Sequence, residues 1–355
     1  MAVGTAPAPP HPRSTAPLLG VLNGASRRLV LTTTLVILVC SLAGLPDPGP
    51  SRALAQGSYP SRAIEFVIPF PPGGPADAAA RIVQPKLSSL LGVPIVLVNK
   101  AGGGGAVGAD HVAKAKPDGY TVFATTNAPL TTVIATQPDL PYRPSDFAPI
   151  GGYVTDLGVI VTKAGSPWKT LEEFADHAKK NPGKLSYGSP GLGTVSFFMV
   201  ELFKASYGLD IVHVPFQGGG PAKNAIMGGH VTIASSGLNS FAPLMKSGDL
   251  VALATSAPRR VPAFPDVPTL AEKGFPEASL NIWMALFVPA KAPREVVERL
   301  SRALEQTMKD PAVAAAVDKA GMVVDYRNPA ATAKLLETEH DAVKKVVTRL
   351  GIGQK

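Results

Sequence analysis

Cysteine is nearly absent, with Cys40 alone in 355 residues. A disulfide framework and a cysteine-based zinc site are therefore excluded. Charged residues make up only 17% of the chain and aromatics only 6%. After residue 45 no apolar run approaches the 18 or so residues of a membrane span. Beyond residue 55 the histidines His111, His177, His213, His230 and His340 fall in no H-E-x-x-H or other short metal spacing. No Gly-Lys-Ser/Thr marks a P-loop, and no Lys/Arg run interleaved with aromatics marks a nucleic-acid groove. No cofactor, metal or nucleic-acid partner is expected.

What is present is apolar: 45% of the residues, enough for a sizeable core. At about 150 residues per domain the length allows two domains. The 36 prolines and 35 glycines, without a period, imply many turns between short elements. The formal charge of +8 leans toward an anionic partner. Part of that charge lies in a targeting segment. Arg27-Arg28 precedes the apolar run Leu29 to Leu45, a Pro-Asp-Pro-Gly-Pro breaker follows, and Ala53-Leu54-Ala55 closes it. A basic start, an apolar stretch and an A-x-A end mark a cleaved secretory signal peptide, residues 1–55. Ser26-Arg27-Arg28-Leu29-Val30-Leu31 is also a twin-arginine pattern. Cleavage after Ala55 leaves 30 basic and 25 acidic residues, a net +5, and no cysteine.

Beyond residue 58 strands and helices alternate. Ile64 to Pro69, Val93 to Val98 and Tyr120 to Thr125 read as apolar strands. Between them lie helices over Pro75 to Leu91, stopped by Gly92 and kinked at Pro85, and over Ala106 to Lys114. This order predicts a parallel sheet covered on both faces. The pattern returns with strands at Gly158–Thr162, Leu185–Gly188, Ile211–Phe216, Val231–Ala234 and Val251–Ala254. Thr170 and Glu173 form a capping box for the helix that follows them. After a strand over Trp283 to Val288 the chain is helical: 294–309, 311–320 and 330–350.

Glycine loops invite enzyme readings that the surrounding residues weaken. Gly103 to Gly108 matches G-x-G-x-x-G, but the next strand ends at Thr125-Thr126-Asn127-Ala128 with no acid for a ribose. Ser189 has Tyr187 where a nucleophile elbow needs glycine, and Pro190 removes an oxyanion-hole N–H. What the loops share is a strand end feeding a glycine turn into a helix N-terminus. Such a turn offers unpaired backbone N–H groups and the positive end of the helix dipole to an anion. One lies in each half of the chain, at Phe70 to Asp77 and at Ser189 to Thr194. Two facing lobes could close on one anion; the alternative is that the glycines only terminate strands.

The run Ile68-Pro69-Phe70-Pro71-Pro72-Gly73-Gly74-Pro75-Ala76-Asp77 after Tyr59-Pro60 resembles the start of the Bug/TctC family. These are the extracytoplasmic solute receptors of tripartite tricarboxylate transporters. Asn99-Lys100-Ala101-Gly102, Pro117-Asp118-Gly119-Tyr120-Thr121, Tyr187 to Thr194, His213 to Gly218 and Phe264 to Leu270 match in family order. The resemblance implies an α/β periplasmic-binding-protein fold, two lobes joined by two crossover strands near 157–159 and 281–283. Lobe one would be 58–157 plus 282–355 and lobe two 158–281. It also implies a carboxylate held largely by main-chain N–H groups. Carried over residue by residue, that points to Phe70, Pro71, Gly73, Gly74, Pro75, Ala76 and Asp77. To these it adds Thr126, Asn127 and Ala128, then Ser189, Gly191, Gly193 and Thr194, and beside the cleft Phe216 and Gln217. The implied partners are a small carboxylate and transporter membrane subunits, with the receptor a periplasmic monomer and not an enzyme. The residues alone leave open an exported enzyme on the same fold, or a sensor's ligand-binding partner. One departure stands out: where the family often has an acid near the end of the strand 231–234, this chain continues Ser235-Ser236.

The targeting segment yields a direct expectation. Intact mass of the exported protein should show residues 1–55 missing and Gln56 at the N-terminus; a membrane-bound chain retaining Leu29–Leu45 would contradict it.

Overall fold

The computed structural model describes residues 59–352. The targeting segment and its cleavage after Ala55 lie outside the described residues. β1 (Ile64–Ile68) runs through a Pro-Gly loop into α1 (Pro75–Leu91), which passes Pro85 unbroken and ends on Gly92 with φ 74°. Next come β2 (Ile95–Asn99), α2 (Ala106–Ala113), β3 (Thr121–Thr126), the short α3 (Thr132–Thr136) and β4 (Phe147–Asp156). The second half contains β5 (Gly158–Lys163), α4 (Leu171–Lys180), β6 (Leu185–Ser189), α5 (Val195–Tyr207) and β7 (Ile211–Pro215). It continues with α6 (Gly219–Met227), β8 (Ile233–Gly237), α7 (Leu238–Lys246) and β9 (Leu250–Thr255). β10 (Ile282–Pro289), α8 (Arg294–Met308), α9 (Pro311–Lys319), β11 (Val323–Arg327) and α10 (Pro329–Leu350) complete the chain.

Two sheets result. The first has the order β11-β4-β10-β3-β1-β2 and the second β7-β6-β8-β5-β9. The chain leaves the first sheet for the second at Leu157, between β4 and β5, and returns on β10. Each sheet is mixed, which corrects the all-parallel expectation. β1 pairs in parallel with β2 and β3, and β6 with β7 and β8. β10 runs antiparallel to β3 and β4, and β5 antiparallel to β8 and β9. The antiparallel strands β5 and β10 are the first that the chain lays down after each crossing, so they enter from the other lobe and run against their neighbours.

Strand alternation builds the core on both faces of each sheet. Ile64, Phe66 and Ile68 face Val83 and Leu87 of α1 and Leu300 and Leu304 of α8. Val67, Phe123 and Phe287 pack on the other face with Val112 and Tyr142. In the second sheet Ile160, Tyr187 and Ile233 meet Phe174, Phe198 and Phe203, while Val159, Val161 and Ala234 meet Ile226 and Phe241. α10 belongs to both halves: Leu336 packs with Phe123 and Phe287, whereas Val343 and Val347 pack with Phe203 and Leu202.

Sequence patterning missed β4, α7 and β11. Pro149 and the pair Gly151-Gly152 disguise β4, since both residue types are poor strand formers. The glycine is required there. Gly151 has φ 155°, and a Cβ on it would come 2.8 Å from the Arg327 carbonyl oxygen of β11. Gly151→Val should therefore lower the unfolding free energy by about 1–3 kcal/mol, as overpacking does. Urea denaturation checks this, and an unchanged midpoint would refute the close approach.

Candidate functional site

Helices that follow parallel strands begin at the strands' C-terminal edge, and here those edges face one another. Four helix N-termini, those of α1, α5, α6 and α7, meet between the sheets. α1 starts at Gly74-Pro75 with no side-chain cap, and α6 at Gly218-Gly219 likewise. α5 is capped by the Thr194 hydroxyl, which accepts from the Phe197 N–H at 3.4 Å and donates to the Gly191 carbonyl at 2.8 Å. The first amides of each helix have no helical acceptor.

They surround a cavity of about 30 Å³, the size of one or two waters. From the first lobe Phe70, Gly74, Pro75, Thr126, Ala128 and Ile282 line it; from the second come Pro190, Thr194, Val195, Ser196, Gly219 and Ser236. None of these carries a charge. Six of the residues expected from sequence thus reach the cavity wall: Phe70, Gly74, Pro75, Thr126, Ala128 and Thr194. Ser196, Gly219 and Ser236 were not among those expected. The Gly218-Gly219-Gly220 turn ahead of a helix was a readable signal for Gly219, and the Ser235-Ser236 continuation, where the family often has an acid, was the signal for Ser236.

Other expected residues are engaged elsewhere. The Asp77 carboxylate accepts from Arg81 Nε at 2.9 Å and Arg81 Nη2 at 3.0 Å, from the Gly73 N–H at 3.1 Å and from Asn99 Nδ2 at 3.2 Å. Burial alone would raise its pKa, but these bonds outweigh it and hold the carboxyl below its usual range. Asp77 therefore pins the Gly73 turn. Ala76 is wholly buried in the core behind α1. Asn127 turns to the rear, donating to the Asn281 carbonyl at 3.3 Å and to Glu339. The buried Ser189 hydroxyl bonds His213 Nε2 at 2.8 Å and contacts Gly191 at 3.2 Å. Burial lowers the His213 pKa to about 4, so the ring is neutral. His213 stacks on Tyr187 at 4.7 Å. Phe216 covers Gly188, and Gln217 is exposed; neither lines the cavity.

Of the other expected residues, Gly191, Gly193 and Pro71 form the contact between lobes, while Gly73 faces open space. A Cβ on Gly191 would stand 3.2 Å from the Gly104 Cα, and one on Gly193 2.3 Å from Thr136 Oγ1 and 3.1 Å from the Val133 Cα. A Cβ on Gly218 would meet Pro71 at 2.7 Å. The lobes touch backbone to backbone.

Asp156, the last residue of β4, is the one wholly buried carboxylate beside this cavity among the described residues. Its Oδ1 accepts from the Leu157 N–H at 2.8 Å and the Asn239 N–H at 3.4 Å, so it sits on the N-terminus of α7. Its Oδ2 has no hydrogen-bond partner among the described residues. A second cavity of about 250 Å³ lies behind Val195, lined by Thr155, Asn281, Trp283, Asp325, Arg327 and Glu339 among others. Its charges are spent internally: Arg327 on Asp325 at 2.5 Å, and Glu339 on Trp283, Asn127 and Thr131.

Comparison with known proteins agrees with this geometry. The family described as tripartite tricarboxylate transporter family receptor matches residues 79–352. A UPF0065 protein from the tcbD-tcbE intergenic region of Pseudomonas sp. (strain P51) is 34% identical over 299 residues, covering 84% of this chain and 89% of that protein. A solved periplasmic transporter is 39% identical with a TM-score of 0.81, covering 84% of this chain and all of the other. MatC from Rhodopseudomonas palustris with bound malate is 31% identical with a TM-score of 0.78, covering 81% of this chain and all of MatC.

Burial raises the Asp156 pKa to about 8, against backbone hydrogen bonds that only partly compensate. A carboxyl raised in the folded state contributes stability below its unfolded pKa of 3.8 that is lost as pH rises toward 8. Asp156→Asn removes this titration. The melting temperature of the variant should therefore gain on that of the wild type as pH goes from about 5 to about 8.5. A gap that stays constant would show that Asp156 does not titrate there.

Proposed function

The chain belongs to the tripartite tricarboxylate transporter receptor family, and we propose that its cleft captures a small carboxylate in the periplasm and hands it to a transporter's membrane subunits. The observation that carries this reading is the convergence of helix N-termini on a cavity without a single basic side chain. Anions are stabilised at such N-termini by oriented N–H groups and the helix dipole. Each hydrogen bond to a charged group contributes about 1.5–3 kcal/mol. Three or four of them, less the cost of association, are enough for about micromolar affinity.

The proposed contacts are the first amides of α1, α5 and α6, with the Thr126 and Ser196 hydroxyls; the Thr194 hydroxyl, which donates to the Gly191 carbonyl, holds the 189–194 turn in shape. Asp77 and Ser189 act one layer back: Asp77 fixes the Gly73 turn and Ser189, through His213, fixes the 189–194 loop. We assign no catalytic role to the Ser189–His213 pair, because the hydroxyl is buried and braces its own loop. MatC, which shares the fold, holds malate, and that supports a carboxylate as the ligand class. The bodies that open and close are residues 58–157 plus 282–355 and residues 158–281, hinging at the two crossovers in a monomer. The cavity is smaller than any carboxylic acid of several carbons, so ligand enters as the lobes part and seats with a small adjustment of the closed form.

A thermal-shift screen of mono-, di- and tricarboxylates on the folded protein tests the reading. A ligand at 100 times its Kd adds about 2.7 kcal/mol. A response to no carboxylate would overturn it. With the strongest binder in hand, Gly193→Val should weaken binding at least about tenfold, since the added side chain holds the lobes apart. Unchanged affinity would remove the 189–194 loop from the closing contact.

A further inference from the structure

The four N-termini at the cleft are not equivalent. Those of α1 and α6 carry no side-chain cap, and that of α5 carries only a neutral hydroxyl. The fourth, α7, already holds a carboxyl group, that of Asp156. Asp156 stands directly behind the cavity wall. Its register partner across the sheet is Ile282, which lines the cavity. A Cβ on Gly237 would fall 1.9 Å from Asp156 Oδ2 and 2.6 Å from the ring of Pro75, another lining residue.

On the same side the wall is hydroxylic. Ser236 lines the cavity, is wholly buried, and its Oγ has no hydrogen-bond partner among the described residues. Ser240 lies beside it, with both hydroxyls near the open face of Gly219. A buried hydroxyl left unpaired costs about 1–3 kcal/mol, so a ligand group that satisfies Ser236 recovers that cost. A second ligand carboxylate in this place would be buried next to Asp156 with no cation to pair it. Burying an unpaired charge is strongly unfavourable, and Asp156 has already taken the amides at the start of α7 that could have compensated it.

We infer that the cleft selects acids with one carboxylate and an uncharged, hydroxyl-bearing remainder, and that Asp156 bars a second carboxylate by occupying the N-terminus of α7. The inference rests on the carboxylate-receptor reading and narrows it. One carboxylate goes to the amides of α1, α5 and α6; the hydroxyl goes to Ser236.

Titration calorimetry at neutral pH on the full chain decides it, with ligands in matched sets of three to six carbons: a hydroxy-monocarboxylate, the plain monocarboxylate and the dicarboxylate. The best hydroxy acid should bind at least about tenfold tighter than its dicarboxylate counterpart, because a site built around a hydroxyl discriminates against ligands that leave it unpaired. Asp156→Ala, which frees the amides that Asp156 holds, should move that ratio about tenfold toward the dicarboxylate. Ser236→Ala should bring the hydroxy acid close to the plain acid, and it serves as the second test should Asp156→Ala not fold. A wild-type protein that binds dicarboxylates as tightly as hydroxy acids overturns the inference while leaving the receptor reading intact. A folded Asp156→Ala protein with an unaltered ratio removes Asp156 from selectivity. Binding of no acid in any set would overturn the receptor reading itself, and this inference with it.

Discussion

The contact between Gly191 and Gly104, where even one added carbon would stand 3.2 Å from the facing Cα, sets how closely the two sheets approach. Everything in the cleft follows from that spacing. Only because Gly103 to Gly105, Gly191 and Gly193 lack side chains can the N-termini of α1 and α5 point at one small volume. The same closeness leaves room for only one or two waters, and in so confined a site a hydrogen bond from an amide to a carboxylate is stronger than in solvent. The nearest polar side chains are then left with two tasks. Some present hydroxyls to the cavity. Others, such as Asp77 with Arg81 and Asn99, hold the turns in shape from outside it.

Neutrality is the second theme. Around the cavity the structure keeps formal charge away from the wall and lets backbone dipoles do the work. His213 is uncharged, held between Tyr187 and Phe197, and hydrogen-bonded to Ser189. Behind it Tyr187 donates to Glu201, which Lys204 neutralises at 2.8 Å. A protonated imidazole beside the 189–194 loop would attract any anion indiscriminately; a neutral one leaves recognition to geometry.

Much of this was legible in the sequence, and the failures have physical causes. α1 was readable to the residue because Pro75 opens it and Gly92 closes it in the left-handed region. The loops at 70–77 and 189–194 announced themselves as glycine turns into helices. What could not be read was side-chain direction within those loops. Asp77, Asn127 and Ser189 sit in the right segments yet turn away from the cavity. Ser236 was legible only as a departure from the family pattern, because β8 continues three residues, Ser235 to Gly237, beyond Ala234 on a strand end with weak β preference. Asp156 escaped with β4 itself, since Pro149 and the two glycines broke the pattern that would have revealed the strand.

α10 spans the junction as a single helix of 22 residues. Leu336 is embedded beneath the first sheet, while Val343 and Val347 are embedded in the second lobe, where Arg349 also pairs with Glu277 at 3.1 Å. Two strands crossing at one edge would allow the lobes to twist as well as swing. A stiff rod fastened to both bodies acts as a third member of the linkage and suppresses the twist. Swinging open must then either bend the rod or pull its last turns from their seat. Uncovering two valines costs about 3–5 kcal/mol if they are fully exposed. In the opening proposed above, the rod would act as a return spring that resists parting of the lobes.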